Sequence, residues 1–257
     1  LHLADRYVPS FPPSYAALIS QITAGMLLSE VKLTLMSNYP DEYPVRLVHA
    51  AGTNQQEVEE LPLYALDHSP KVGLLSTLYI PPWEENRSFE DFQEIIARLR
   101  APDGCPWDRE QTHLSLRPYL LQEAYEVLEA LDHEDMMELQ EELGDLLLQI
   151  VLHAQIATEE GDFNMTDVLQ SISRKLIRRH PHVFGDVQVN SVDNVVQNWE
   201  KIKAEERKEN GKAHHNGMLD GIPLALPALT QADQIQRRAQ RVGFDWKTIE
   251  PAIAKVN

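Results

Sequence analysis

Cysteine is nearly absent from this chain of 257 residues. Cys105 stands alone, so no disulfide can form within it. No apolar run approaches the roughly 18 residues that a membrane span needs. No succession of basic, apolar and small residues opens the chain, so a secretory signal is not expected. These gaps lead us to expect a cytoplasmic protein with no membrane partner. Basic residues are also scarce, with 23 Lys and Arg against 40 Asp and Glu and a net charge of −17. Nucleic-acid binding depends on Lys and Arg displacing counterions, so no nucleic-acid partner is expected. The first eighty residues contain no G-x-G-x-x-G phosphate loop. The chain opens at Leu1 rather than Met and stops as an apolar pattern begins, so further sequence is expected beyond both ends.

What the chain does hold is two short acidic pairs, Glu123-x-x-Glu126 and Glu142-x-x-Asp145. Both lie in helical sequence. A spacing of three puts both carboxylates of a pair on one helix face. Two such helices folded as a hairpin would aim four carboxylates at one point. Crowded like charges repel, and each tends to take up a proton. A hard divalent cation with oxygen ligands removes that conflict. Between Pro118 and Ile150 there are ten acidic residues and no Lys or Arg. Each pair alone is common on solvated helix faces; the spacing, the turn between them and the flanking apolar residues favour a metal site. Gly144 leaves room for close approach of a helix or ligand. A di-iron bundle would need Glu-x-x-His, which neither pair supplies. His153 lies two turns beyond Asp145 and reads as structural.

Val31–Met36, Val45–Ala50 and Val72–Ile80 read as strands, with a turn around Tyr39, Pro40, Asp41 and Pro44. Residues 81–86 read as a linker, and the rest as helical. Ser88 with Asp91 marks one helix start. Further helices are expected over about 118–131, from 136 to a Gly161 cap, over 166–179, after Ser191, and after Pro227. On the two acidic helices the apolar faces Leu120, Leu121, Ala124, Val127, Leu128, Leu131 and Leu139, Leu143, Leu146, Leu147, Ile150, Val151, Ala154 are expected to face a core. Residues 208–216 read as mobile.

Basic residues gather after the acidic hairpin. Lys175 and Arg179 are four apart on one helix face, a spacing that can grip phosphates. Trp199 and Lys203 repeat that interval, putting an aromatic beside a cation. The plainer alternatives are a basic helix end complementing the dipole and a core tryptophan. Cys105 sits between Gly104 and Pro106 in a loop, with no base nearby in sequence, so thiol catalysis is discounted.

The runs CPWDREQTHLSLRPYLLQEAYEVLEAL from Cys105, EELGDLLLQIVLHAQ, KLIRRHPHVF and NWEKIKAEER, in that order, resemble the MazG nucleoside triphosphate pyrophosphohydrolases. One departure is Gln122, where the family's first motif carries a leading Glu. The resemblance implies a mainly α fold, a helical bundle of four helices completed by homodimerisation, beside a small N-terminal α/β fragment. It places the metal and catalytic positions on Glu123, Glu126, Glu142 and Asp145, and the substrate contacts on Lys175, Arg179, Trp199 and Lys203. It implies Mg2+, with Mn2+ as the alternative, and cleavage of a nucleoside triphosphate to the monophosphate and pyrophosphate. Glu141 or a metal-holding carboxylate is the expected proton acceptor. The alternative is a metal-binding, dimerising structural or regulatory unit with little activity. Residues 88–210 are the expected MazG unit, and 217–257 the start of a second. Residues 1–82, through SNYPDEYPVRLVHAAGT and LPLYALD, resemble the C-terminal end of a tetrapyrrole methylase domain.

Overall fold

A computed structural model describes residues 3–22, 26–83, 88–209, 219–244, 246 and 248–254. The chain divides into two compact units, Leu1–Met165 and Thr166–Asn257.

The first unit opens with a four-stranded antiparallel sheet: β1 (Ala17–Ile19), β2 (Pro44–His49), β3 (Glu57–Pro62) and β4 (Ser76–Ile80), in spatial order β1-β4-β2-β3. Val45 and Leu47 are buried between more exposed residues along β2, and Ser76, Leu78 and Ile80 alternate with half-buried ones on β4. Their shared face packs on helix α1 (Met26–Met36) through Leu28, Val31 and Leu35. Lys32 Nζ and Ser29 Oγ both donate to Asp67, at 2.7 and 2.9 Å, tying α1 to the 3-10 turn Leu63–His68.

The expected strand at Val31–Met36 is therefore corrected to the second half of a helix. Val31, Leu33 and Leu35 alternate with polar residues, which mimics a strand. The buried set is Leu28, Val31 and Leu35, at helical intervals, and Leu33 faces solvent. The strand expected from Val72 begins only at Ser76, because Leu74 and Leu75 point outward. Strand β3, which the sequence reading missed, is acidic and only partly buried. It is held by register with β2, where Arg46 faces Glu60 and bonds it at 2.6 Å.

Helix α2 (Phe89–Arg100) starts as expected: Ser88 Oγ accepts from the Asp91 amide at 3.0 Å. After the short α3 (Pro106–Glu110) come the two long helices of the unit, α4 (His113–Asp132) and α5 (Met136–Glu160). Helix α4 begins five residues earlier than expected. Thr112 and Ser115 cap each other reciprocally, and Pro118 is carried inside the helix at the loss of one backbone bond. The turn before α5 puts Glu134 at φ 56°, and Asp135 then caps α5 through the amides of Met137 and Glu138. Gly161 closes α5 at φ 79°.

A second core gathers Ile96, Leu116, Val151, Leu152 and Ile156. Arg100 reinforces it. Its side chain is only 6% exposed and grips the Glu159 carboxylate at 2.7 Å. It also donates to the Gln111 carbonyl at 3.2 Å and to that of Asp108.

Burial on the hairpin differs from the sequence expectation. Leu121, Leu128 and Leu131 of α4, and Leu143, Leu147 and Ile150 of α5, are exposed in the single chain. Only the second half of α5 is buried, because α2 packs against α5.

The second unit contains α6 (Met165–Arg179) from Thr166 onward, α7 (Pro181–Phe184), α8 (Val192–Glu209), α9 (Ala228–Arg241) and α10 (Glu250–Ile253). Helix α6 ends ahead of Pro181, and Ser191 Oγ caps α8 through the Asn194 amide at 3.3 Å. Residues 84–86 of the linker expected at 81–86, and residues 210–216 of the segment expected to be mobile at 208–216, lie outside the described residues. The described protein is mainly α-helical with one small N-terminal sheet, and no described helix is long and apolar enough to cross a membrane.

Candidate functional site

The hairpin of α4 and α5 brings the two acidic pairs together. One oxygen each of Glu123, Glu142 and Asp145 lies within 4.8 Å of the others. Two features of the sequence produce this. Each pair's spacing of three presents its carboxylates on one face, and the three-residue turn folds the helices antiparallel. Glu126 stands beside the trio rather than in it. It accepts a hydrogen bond from Gln122 Nε2 at 3.1 Å and lies at hydrogen-bonding range of Glu123. Gln122, the departure from the family motif, therefore orients a neighbouring carboxylate.

The charges are in conflict, as their crowding requires. Desolvation pushes the Glu123 carboxyl above its ordinary range, and the nearby Glu126, Asp145 and Glu142 add to the shift. Glu142 is raised by desolvation and by Glu126 and Asp145. An ion held at about 2.1 Å by each oxygen needs oxygens no more than about 4.2 Å apart. The three oxygens lie within 4.8 Å of one another, Glu123 and Glu142 are half-buried and Asp145 is exposed, so the side chains are free to adjust to that spacing. An all-oxygen, anionic donor set suits Mg2+ or Mn2+ rather than a thiolate-seeking metal. A side chain at Gly144 would meet no neighbour within 4 Å, so the space beside this site is open.

The predicted substrate residues lie in the second unit, where three of the four come together. The Arg179 guanidinium lies over the Trp199 ring at 5.4 Å, and the Lys203 ammonium over the same ring at 4.7 Å. Trp199 is thus a platform for two cations rather than a core residue. Lys175 is exposed on α6, one turn before Arg179. The sequence reading missed Glu206, whose carboxylate accepts from Arg179 at 2.5 Å, a bond that lowers its pKa below the ordinary carboxylate value. A signal was present: Trp199, Lys203 and Glu206 follow at intervals of four and three on one face of α8.

His153 is a packing residue, consistent with its structural reading. Its ring stacks on His113 at 5.0 Å, with their Nδ1 atoms 2.7 Å apart. Cys105 occupies the position before the first turn of α3, and its side chain makes no capping hydrogen bond.

Residues 111–184, which include the whole acidic hairpin, match the MazG nucleotide pyrophosphohydrolase domain. The particular relatives are close. The chain is 52% identical over 163 residues to a nucleoside triphosphate pyrophosphohydrolase of Escherichia coli (strain K12), covering 63% of this chain and 61% of that protein. It is 49% identical over 168 residues to a nucleoside triphosphate pyrophosphohydrolase/pyrophosphatase MazG of Thermotoga maritima, covering 65% and 63%. The longest of these matches, at 46% identity over 224 residues, is to the uncharacterized protein YabN of Bacillus subtilis, covering 86% of this chain and 45% of that one. The chain thus spans between 45% and 63% of the length of these relatives.

Proposed function

We propose that this chain hydrolyses nucleoside triphosphates, ribo or deoxy, to the monophosphate and pyrophosphate, with Mg2+ as the working ion and Mn2+ able to replace it. The observation that carries the reading is the convergence of Glu123, Glu142 and Asp145 on the α4–α5 hairpin, inside the segment that matches the pyrophosphohydrolase domain. Two relatives near 50% identity bear the name nucleoside triphosphate pyrophosphohydrolase.

In this reading Glu123, Glu142 and Asp145 hold the ion, with Glu126 beside them. A bound divalent cation neutralises the charge of the triphosphate. Glu141 or one of the site carboxylates accepts the proton of the attacking water. Lys175, Arg179 and Lys203 bind phosphate oxygens electrostatically. Residues 88–210 form the catalytic MazG unit, 217–257 begin a second, and 1–82 are the end of a methylase-like domain. The exposed stripes Leu121, Tyr125, Leu128 and Leu143, Leu147, Ile150 support a homodimer, since a lone hairpin leaves them in water. The location is cytoplasmic, where such substrates are made.

A panel of nucleoside triphosphates assayed for pyrophosphate release, with and without Mg2+, tests the function. Release should require the ion and fall at least about 100-fold when Glu123→Ala and Asp145→Ala are combined. Normal turnover by that double variant would sink the proposal.

A further inference from the structure

Arg179 is held by two neighbours within the second unit. Its Cζ lies over the Trp199 ring, and Lys203 shares that ring. Glu206 takes one edge: Nε donates to Oε2 at 3.1 Å and Nη2 donates to the same oxygen at 2.5 Å. The two side chains are only 18% and 14% exposed. That shielding separates them from the ordinary surface ion pair, whose partners sway in water and contribute little.

A guanidinium recognises phosphate best through two parallel N–H bonds, and this needs a fixed plane. The Nη1 group of Arg179 makes no hydrogen bond among the described residues, so the outer edge remains for a ligand. Arg178 also reaches the Glu206 carboxylate, with Nε 3.8 Å from Oε1, and Lys175 acts on it electrostatically. Lys175 and Lys203 stand beside the Arg179–Glu206 pair, so the cluster offers the positive charge that a polyphosphate requires.

We propose that Glu206 is a positioning residue for polyphosphate binding: it clamps the Nε edge of Arg179 against Trp199 and turns the Nη1 edge toward a phosphate oxygen. This deepens the reading above and rests on Arg179 contacting the substrate. The opposite role, in which the carboxylate fills the phosphate's place and must be displaced, gives the opposite sign in the experiment below.

The full chain is assayed with Mg2+ and its best nucleoside triphosphate, as wild type, Glu206→Gln, Glu206→Asp, Arg179→Ala and the double variant Arg179→Ala/Glu206→Gln. Binding of inorganic pyrophosphate with Mg2+ is measured by calorimetry on the same proteins. Glu206→Gln should raise KM on the order of tenfold with a smaller change in kcat. Glu206→Asp should recover most of the loss. The double variant should match Arg179→Ala within about twofold, because both changes act through one guanidinium. Pyrophosphate affinity should fall in the same order. If Glu206→Gln does not fold, Glu206→Asp carries the test, through a KM raised by a smaller factor.

A KM lowered by Glu206→Gln overturns the proposal in favour of displacement. So does an unchanged KM alongside a raised one in Arg179→Ala, or additive losses in the double variant. If no nucleoside triphosphate is hydrolysed but pyrophosphate binding still follows the expected order, the catalytic reading fails and the role of Glu206 stands.

Discussion

Glu123 and Glu206 are both partly buried carboxylates, yet they titrate in opposite directions. Glu123 faces other acids and is driven up by desolvation and by Glu126, whereas Glu206 faces Arg179 and is driven down. Which partner each faces is a property of the fold, so the residue type alone does not reveal it. The same holds for His153. Burial, with His113 beside it, depresses its pKa below the ordinary histidine value. A histidine so depressed contributes stability that is present above about pH 6.5, its unfolded value, and is lost as pH falls through the lower folded value. Denaturant unfolding at pH 8 and pH 5 should show this loss, and His153→Phe should flatten it. Glu159 and Glu206, both depressed by arginine hydrogen bonds, lose their contribution only in the separate window below about pH 4.5. An unchanged slope in His153→Phe would assign the upper window to another group.

Among the elements, those with local signals were legible and those decided by distant partners were not. Caps at Ser88, Ser191 and Gly161 fall where expected, because a cap is an interaction within one turn. The extent of α4 was misjudged because Pro118 reads as a helix start, while the real start is the Thr112–Ser115 box. The period-2 alternation of Val31–Leu35 was misread because only packing on the sheet shows which residues are inside. The hairpin turn carries its own strain: Glu134 sits at φ 56° without being glycine. A left-handed L-residue costs roughly 1–2 kcal/mol, against which glycine loses roughly 0.5–1 kcal/mol through the unfolded chain. Glu134→Gly should therefore stabilise the hairpin by about 0.5–1 kcal/mol in urea unfolding, with pyrophosphate release unchanged. A destabilised variant would show that the Glu134 side chain makes up for its backbone.

For the whole molecule, the question is what covers the hairpin. Leu121 and Leu128 on α4, 55% and 52% exposed, and Leu143 on α5, 49% exposed, are too large and too regularly spaced for a solvated surface. A second copy offering the same stripes would complete a four-helix bundle. Light scattering of the wild type should give a dimer, and Leu128→Glu with Leu147→Glu should give a monomer. A monomeric wild type would mean that another partner covers the stripes. By itself the sequence determined the helical class, the caps and the acidic pairs, since spacing along a helix already sets which side chains share a face. The tertiary structure decided which acids converge, that Glu126 stands aside with Gln122, and that Arg179 is tied to Glu206. Those outcomes depend on how one helix is rotated against another, and spacing within a single helix carries no record of that rotation.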